Sequence, residues 1–298
     1  MRIPRIPVWL KVFSLAILVG VLVRAFAFTS CSIPYTGMEN TLYQGERVLV
    51  NKWSYGLRLP FSTIRLGAEQ ARKGDVVLFN NPISRNEAPV YARELFISRC
   101  IGVPGDTLMM NDELMVTGKQ VQSPDSKQLY LYPHSAEDTL CQVMKELGIA
   151  ENPLVGYASG NYIRSFSHYE YYLLNQRLGS VVNLQPVHAN DTAQSHPFVI
   201  PQKGKPVKVY PWNKTLLCNT IIRHEHRKAT VKGDTLYVEG KPVNFYIFQK
   251  DYYWMASNNP VNLSDSRLFG LVSDECLIGK ACCIWYSSQK DRIFQLVE

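Results

Sequence analysis

The chain has 298 residues, 46% hydrophobic and 19% charged, with 18 Gly and 17 Pro, which is enough apolar material for one large or two modest cores and excludes a disordered or collagen-like chain. Net charge is +7, but Arg2, Arg5, Lys11 and Arg24 all precede the first acid, Glu39, so the rest of the chain carries an excess of only three, and a surface built to coat nucleic acid is excluded. Seven cysteines (Cys31, Cys100, Cys141, Cys218, Cys276, Cys282, Cys283) form no Cys-x-x-Cys pair, so buried free thiols are expected rather than a disulfide framework, a zinc site or any cofactor cluster.

Residues 1–7 read as a short basic amino terminus, and 8–28 as a membrane anchor. As a helix at about 1.5 Å per residue, that stretch measures about 31 Å, a bilayer core. Lys11 and Arg24 lie near its ends, where they can snorkel, and Trp9, Phe26 and Phe28 suit the interfaces. The positive-inside rule puts the amino terminus in the cytoplasm and the bulk of the chain outside a single-pass inner membrane. Two other readings stay open. One is a cleaved signal, although Arg24 follows the apolar run directly and no Ala-x-Ala site is present; the other is lipid modification at Cys31, within the lipobox-like Phe28-Thr29-Ser30-Cys31.

Behind the anchor, residues 47–52, 75–80 and 95–101 read as short strands. Two hairpin-like units, 105–121 and 233–243, each place a Gly at the turn, at Gly118 and Gly240. Helix signals are confined to the middle: Ser135 to Asp138 opens an apolar-periodic run closed by Gly148, and Ser167 with Glu170 forms a capping box ahead of a run closed by Gly179. His224-Glu225-His226 reads as a solvated strand, since no third metal ligand accompanies it, and Tyr169 to Tyr172 as partly buried surface. The fold expected is mainly β: a core over 29–120 and 233–298, carrying an inserted α+β domain over 121–232.

Four segments in order then resemble type I signal peptidases. Residues 33–42 read Ile-Pro-Tyr-Thr-Gly-Met-Glu-Asn-Thr-Leu, where the family has Pro-Ser-x-Ser-Met-x-Pro/Asn-Thr-Leu. Residues 73–79 read Lys-Gly-Asp-Val-Val-Leu-Phe. Residues 98–107 read Ser-Arg-Cys-Ile-Gly-Val-Pro-Gly-Asp-Thr against Lys-Arg-x-x-Gly-x-Pro-Gly-Asp, and 257–267 resemble Gly-Asp-Asn-x-x-x-Ser-x-Asp-Ser-Arg. The resemblance implies a membrane-bound serine endopeptidase with an antiparallel β core, in which a lysine made neutral by burial deprotonates the serine.

On that alignment the nucleophile position is Gly37, the base position Ser98 and the oxyanion position Tyr35; Asn258 and Leu263 replace two further polar positions. Glycine carries no attacking oxygen, and a serine hydroxyl is no comparable base. The matching positions are Pro34, Met38, Arg99, Gly102, Pro104, Gly105, Asp106, Asp265, Ser266 and Arg267, which suit turns and a bidentate Asp265–Arg267 pair. A membrane-anchored pseudopeptidase of the export pathway is therefore expected, with signal peptides, an active signal peptidase or another envelope protein as its partner. The alternative is a working peptidase with an unorthodox nucleophile, for which Thr36 is the candidate.

Overall fold

The computed structural model describes residues 7–58, 64–67, 69–83, 88–111, 114, 116, 126–150, 153–179, 181–187, 195–261 and 264–297. The apolar amino-terminal stretch forms α1 (Val8–Leu22), none of it buried, and passes into a π turn, Val23–Ala27. Lys52 Nζ donates to Arg24 O at 3.2 Å, pinning this junction to the body of the protein. Among the described residues no helix is long and apolar enough to cross a membrane. The span expected over 8–28 is an α-helix of only 15 residues, where crossing takes about 20.

The chain continues through β1 (Phe28–Ser32), β2 (Arg47–Asn51), the short hairpin of β3 (Leu57–Arg58) and β4 (Arg65–Leu66), β5 (Val76–Asn80), β6 (Leu95–Gly102) and β7 (Thr107–Met110). A compact unit follows: β8 (Lys127–Pro133), α2 (Glu137–Glu146), β9 (Gly156–Ala158), β10 (Asn161–Ser167), α3 (His168–Leu178) and β11 (Gln185–Pro186). Then come β12 (His196–Val199), β13 (Pro206–Lys208), α4 (Lys214–His224), β14 (Ala229–Lys232), β15 (Thr235–Val238), β16 (Lys241–Val243), β17 (Phe245–Ile247), β18 (Tyr252–Ala256), α5 (Ser266–Phe269), β19 (Val272–Ser273) and β20 (Leu277–Tyr286).

An antiparallel sheet of seven strands, ordered β1-β2-β20-β5-β6-β18-β19, is the centre of the fold. The three strands expected from the sequence are its β2, β5 and β6. All of β5 is buried, because both faces of the sheet are covered: Val76 and Leu78 enter a core with Ile33, Met38, Val48 and Val50, while Val77 and Phe79 enter another with Tyr253, Met255 and Phe269. This is the two-residue period of a strand written twice, and each such side chain contributes about 1.5–3 kcal/mol by leaving water. Register shifts where β20 meets β2 and β5, and where β18 meets β6, curl the sheet.

The residues expected as one insertion divide between two further cores. Tyr130, Leu140, Phe166, Leu174 and Leu184 pack around β8, β10, α2 and α3. Phe198, Ile200, Val207, Leu217 and Ile221 instead share a core with Ile101, Leu108, Leu236 and Trp254, because β12 pairs with β7 and β13 with β17.

The helix ends follow their caps. Ser167 accepts from Glu170 N–H at 3.2 Å, and Ser167 N–H donates to Glu170 Oε2 at 2.7 Å, the capping box read from the sequence. Ser135 caps nothing: it lies in a 3-10 turn, and α2 starts two residues later behind Ala136. The His224 motif is not on a strand. His224 ends α4, buried, with its ring edge-on to Tyr252, and no metal-holding cluster occurs among the described residues. The hairpin expected over 233–243 is β15–β16, turning at Glu239 and Gly240, both with positive φ, whereas Gly118, the turn residue of the 105–121 unit, lies outside the described residues.

Candidate functional site

The segment after β1 leaves the sheet edge and folds over it. Tyr35 is extended, Thr36–Met38 form a 3-10 turn, and Thr41 and Leu42 donate their N–H groups to Met38 O at 3.1 and 2.7 Å. Met38 is 1% exposed and plugs the core below. Two asparagines from the other end of the chain clamp the turn from above. Asn259 N–H donates to Gly37 O at 2.9 Å, and Asn258 Nδ2 donates to Glu39 O at 3.0 Å and Thr41 Oγ1 at 2.8 Å.

Pro34, Tyr35, Gly37 and Met38 form one wall of a crevice whose other wall is Leu95, Phe96 and Ile97 of β6, with Cys31, Ile33 and Ser264 completing it. The Ser98 hydroxyl lies directly behind that wall, 2.7 Å from Ser264 O and 2.8 Å from Ile97 O, and Ser98 is fully buried. The crevice thus joins the Gly37 turn to the strand that carries Ser98. Thr36 is not among the described residues lining it; its carbonyl accepts from Glu39 N–H at 3.2 Å. The cavity is small, about 20 Å3, room for about one water, and Tyr35 stands at its rim 47% exposed.

Chemically this is a donor-poor, apolar site. Ser98 has one hydrogen and two carbonyl oxygens facing it, so its hydroxyl acts as a donor; neither neighbour is a base that would take its proton. Burial pushes the Cys31 thiol up from its ordinary value, which leaves it a poor nucleophile. Leu263 lies outside the described residues.

A buried ion pair beneath the turn was not read from the sequence. Lys127 Nζ donates to Glu39 Oε2 at 2.9 Å, with Glu170 at 4.0 Å, and Asn259 Nδ2 donates to the same Glu39 oxygen at 3.2 Å. The Lys127 side chain is 1% exposed and that of Glu39 11%. Lys127 N–H also donates to Asn258 O at 2.7 Å, so the first residue of β8 ties the α2–α3 unit to the turn.

The remaining positions of the resemblance are scaffold. Asp265 caps α5 and receives Ser257 N–H at 2.7 Å, with Arg267 Nε 3.1 Å from both of its oxygens; Ser266 Oγ accepts Met255 N–H at 2.9 Å. Arg99 reaches Gly74 O and Thr41 Oγ1, each at 2.9 Å. Gly102, Pro104, Gly105 and Asp106 are not at the crevice. They make the β6–β7 turn, where Gly105 has φ +89° and Asp106 accepts Val103 N–H at 2.9 Å. A methyl at Gly102 would sit 2.8 Å from Leu108 Cδ1 and 3.1 Å from Trp254 Cβ, so Gly102→Ala is expected to cost about 1–3 kcal/mol by overpacking, read as a lower urea midpoint at unchanged slope.

The turn's far end is anchored by Glu46, which accepts from Arg292 Nε at 2.7 Å, Tyr43 N–H at 2.8 Å and Ser287 Oγ at 2.9 Å. Burial alone would raise its pKa, but these donors outweigh it and hold the carboxyl below its ordinary 4.5. The stabilisation is complete above the unfolded value and is lost as pH falls through the lower folded value. Acid titration of Arg292→Gln is therefore expected to show a shallower loss of stability below pH 4.5 than the wild type.

A family model described as "Signal peptidase, peptidase S26" matches residues 6–176. The chain is 23% identical over 286 residues to signal peptidase I of Buchnera aphidicola subsp. Acyrthosiphon pisum, covering 96% of this chain and 74% of the relative. It is 24% identical over 301 residues to signal peptidase I of Pseudomonas fluorescens, with the same two coverages. Over 117 residues it is 34% identical to signal peptidase I of Bacillus licheniformis, covering 39% of this chain and 53% of that one.

Proposed function

The chain belongs to the signal peptidase, peptidase S26, family, and from that premise we propose that it is a membrane-attached homologue that holds signal peptides of exported proteins without cutting them. The observation that carries this reading is a pair at one crevice wall: Gly37, which lines the crevice and offers no attacking oxygen, and Ser98, buried behind Ile97 and Ser264 with its hydroxyl enclosed by their two carbonyl oxygens. Both halves of a nucleophile-and-base pair are replaced together, which fits a fold kept for binding. Tyr35 occupies the position from which an oxyanion donor would work, and its exposed ring suits a lid better than a buried donor.

The ligand is an extended strand with small side chains. β1 is an edge strand, open to pairing on its outer side, and the crevice beside it admits little more than a methyl group. Attachment to the membrane comes from the exposed apolar face of α1 together with the π turn that prolongs it to Ala27, with the basic amino terminus on the cytoplasmic side and the β core outside. The α2–α3 unit acts as an insertion that supports the turn from below through Lys127.

The binding half of this proposal is tested by placing a photo-reactive benzoylphenylalanine at Leu95, which is 44% exposed on the crevice rim. Irradiation with a radiolabelled pre-protein is expected to give an adduct of full pre-protein mass that excess unlabelled signal peptide competes away. An adduct insensitive to the competitor would overturn it.

A further inference from the structure

A second, larger opening lies away from the crevice. Between α4 and the segment Arg267–Gly270 is a cleft of about 290 Å3, close to the lower limit of about 300 Å3 for small-ligand sites and more than ten times the volume of the crevice. Its polar groups have an order that follows from helix geometry. Thr215, Asn219 and Arg223 stand four residues apart on α4, so they form one exposed ridge along the cleft. Trp212 and Leu216 supply an apolar floor.

The charge is one-sided. No acidic side chain is among the described residues lining the cleft. Arg267 is held by Asp265 on its far side, so its charge is already matched. Arg223 is exposed and its Nη1 reaches Phe269 O at 3.4 Å across the cleft. The neighbouring His224, which also lines the cleft, is driven down to about 3 by burial first and then by Lys250, Arg93 and Arg223, so it adds no positive charge of its own at neutral pH.

We propose that this cleft binds the free carboxyl terminus of a peptide, with Arg223 taking the carboxylate, Asn219 and Thr215 the backbone amides behind it, and the Trp212–Leu216 floor an apolar side chain. Among the described residues Arg223 pairs with no acid, and one such guanidinium matches one carboxylate, whereas a phosphate dianion calls for more than one. A fatty acid would lay hydrocarbon against Asn219 and Thr215 and leave their polar groups unpaired. A peptide end satisfies the ridge and the floor together. The site is independent of the crevice reading, since it shares no residue with it.

The test is fluorescence polarisation of full-length protein with fluorescein-labelled Ala-Ala-Leu, as the free acid and as the carboxyl-terminal amide. The acid is expected to bind at least about tenfold tighter, the size of one charge-assisted hydrogen bond. Arg223→Gln is expected to bring the acid to the level of the amide and Arg223→Lys to keep part of the difference, both leaving the Leu95 cross-link intact. Equal affinity of acid and amide, no binding of either at millimolar concentration, or indifference to Arg223→Gln overturns the proposal. So does displacement of the acid by oleate or inorganic phosphate at lower concentration than by unlabelled Ala-Ala-Leu.

Discussion

Lys127→Met is expected to lower the free energy of unfolding by about 3–5 kcal/mol, a large share of the about 5–15 kcal/mol that stabilises a domain. The substitution keeps an unbranched stem in a site only 1% exposed, so packing changes little and the loss comes from charge. Glu39 is left as a buried carboxylate whose remaining side-chain donor is Asn259 Nδ2 at 3.2 Å, and Glu170 loses the cation at 4.0 Å. Desolvating an unpaired carboxylate costs more than a buried methionine stem returns. The double variant Lys127→Met with Glu39→Gln, which removes both charges, is expected to recover most of the loss. Urea titrations of the three proteins check this; a single variant as stable as the wild type would mean that the pair is wet.

Restoring the family's reacting groups, Gly37→Ser with Ser98→Lys, is the second large expectation, and its result is failure. Where nucleophile and base act as a unit, their loss costs up to about 10⁶ in kcat, and a chain lacking only that unit would regain it. Here the new amine would enter a site bounded by Ser264 O and Ile97 O. These two carbonyl oxygens would hold the amine behind the crevice wall, away from a hydroxyl on residue 37, so the lysine would fail as its base. On the proposed register Tyr35 stands where the family has a small hydroxyl donor, and the loss of such a donor withholds oxyanion stabilisation worth about 10²–10³. Cleavage of a pre-protein is therefore expected at no more than a residual level, with circular dichroism confirming the fold. Turnover approaching that of an active signal peptidase would show that two side chains alone separate this chain from catalysis.

What the sequence made legible was local. β2, β5 and β6 announce themselves by runs of β-prone residues between Gly and Pro, and the Ser167–Glu170 box needs only four consecutive residues to be recognised. α4 escaped because Thr215, Cys218, Thr220, Ile221 and Ile222 carry no helix preference, and the helix exists through burial of Leu217 and Ile221 in a core assembled from distant strands. The same burial moved His224 from an expected strand to a helix end. Lys127 escaped for a stronger reason: its partner is 88 residues away, and beside Pro124 and Asp125 it reads as loop. The crevice's dimensions were illegible too, since they depend on how far Tyr35 and Met38 lean towards β6. The alignment of Gly37 and Ser98 required only the spacing of short motifs. That Ser98 lies buried behind the wall of the crevice that Gly37 lines required the sheet.

Mixing the detergent-solubilised wild-type protein with an equimolar pre-protein and following intact masses over hours addresses the chemistry with least interpretation. Two unchanged masses are expected, pre-protein and binder, with no acylated species at any time. Mature protein released by the wild type but not by Thr36→Ala would contradict this, and would make the residue beside Gly37 the nucleophile of a working peptidase.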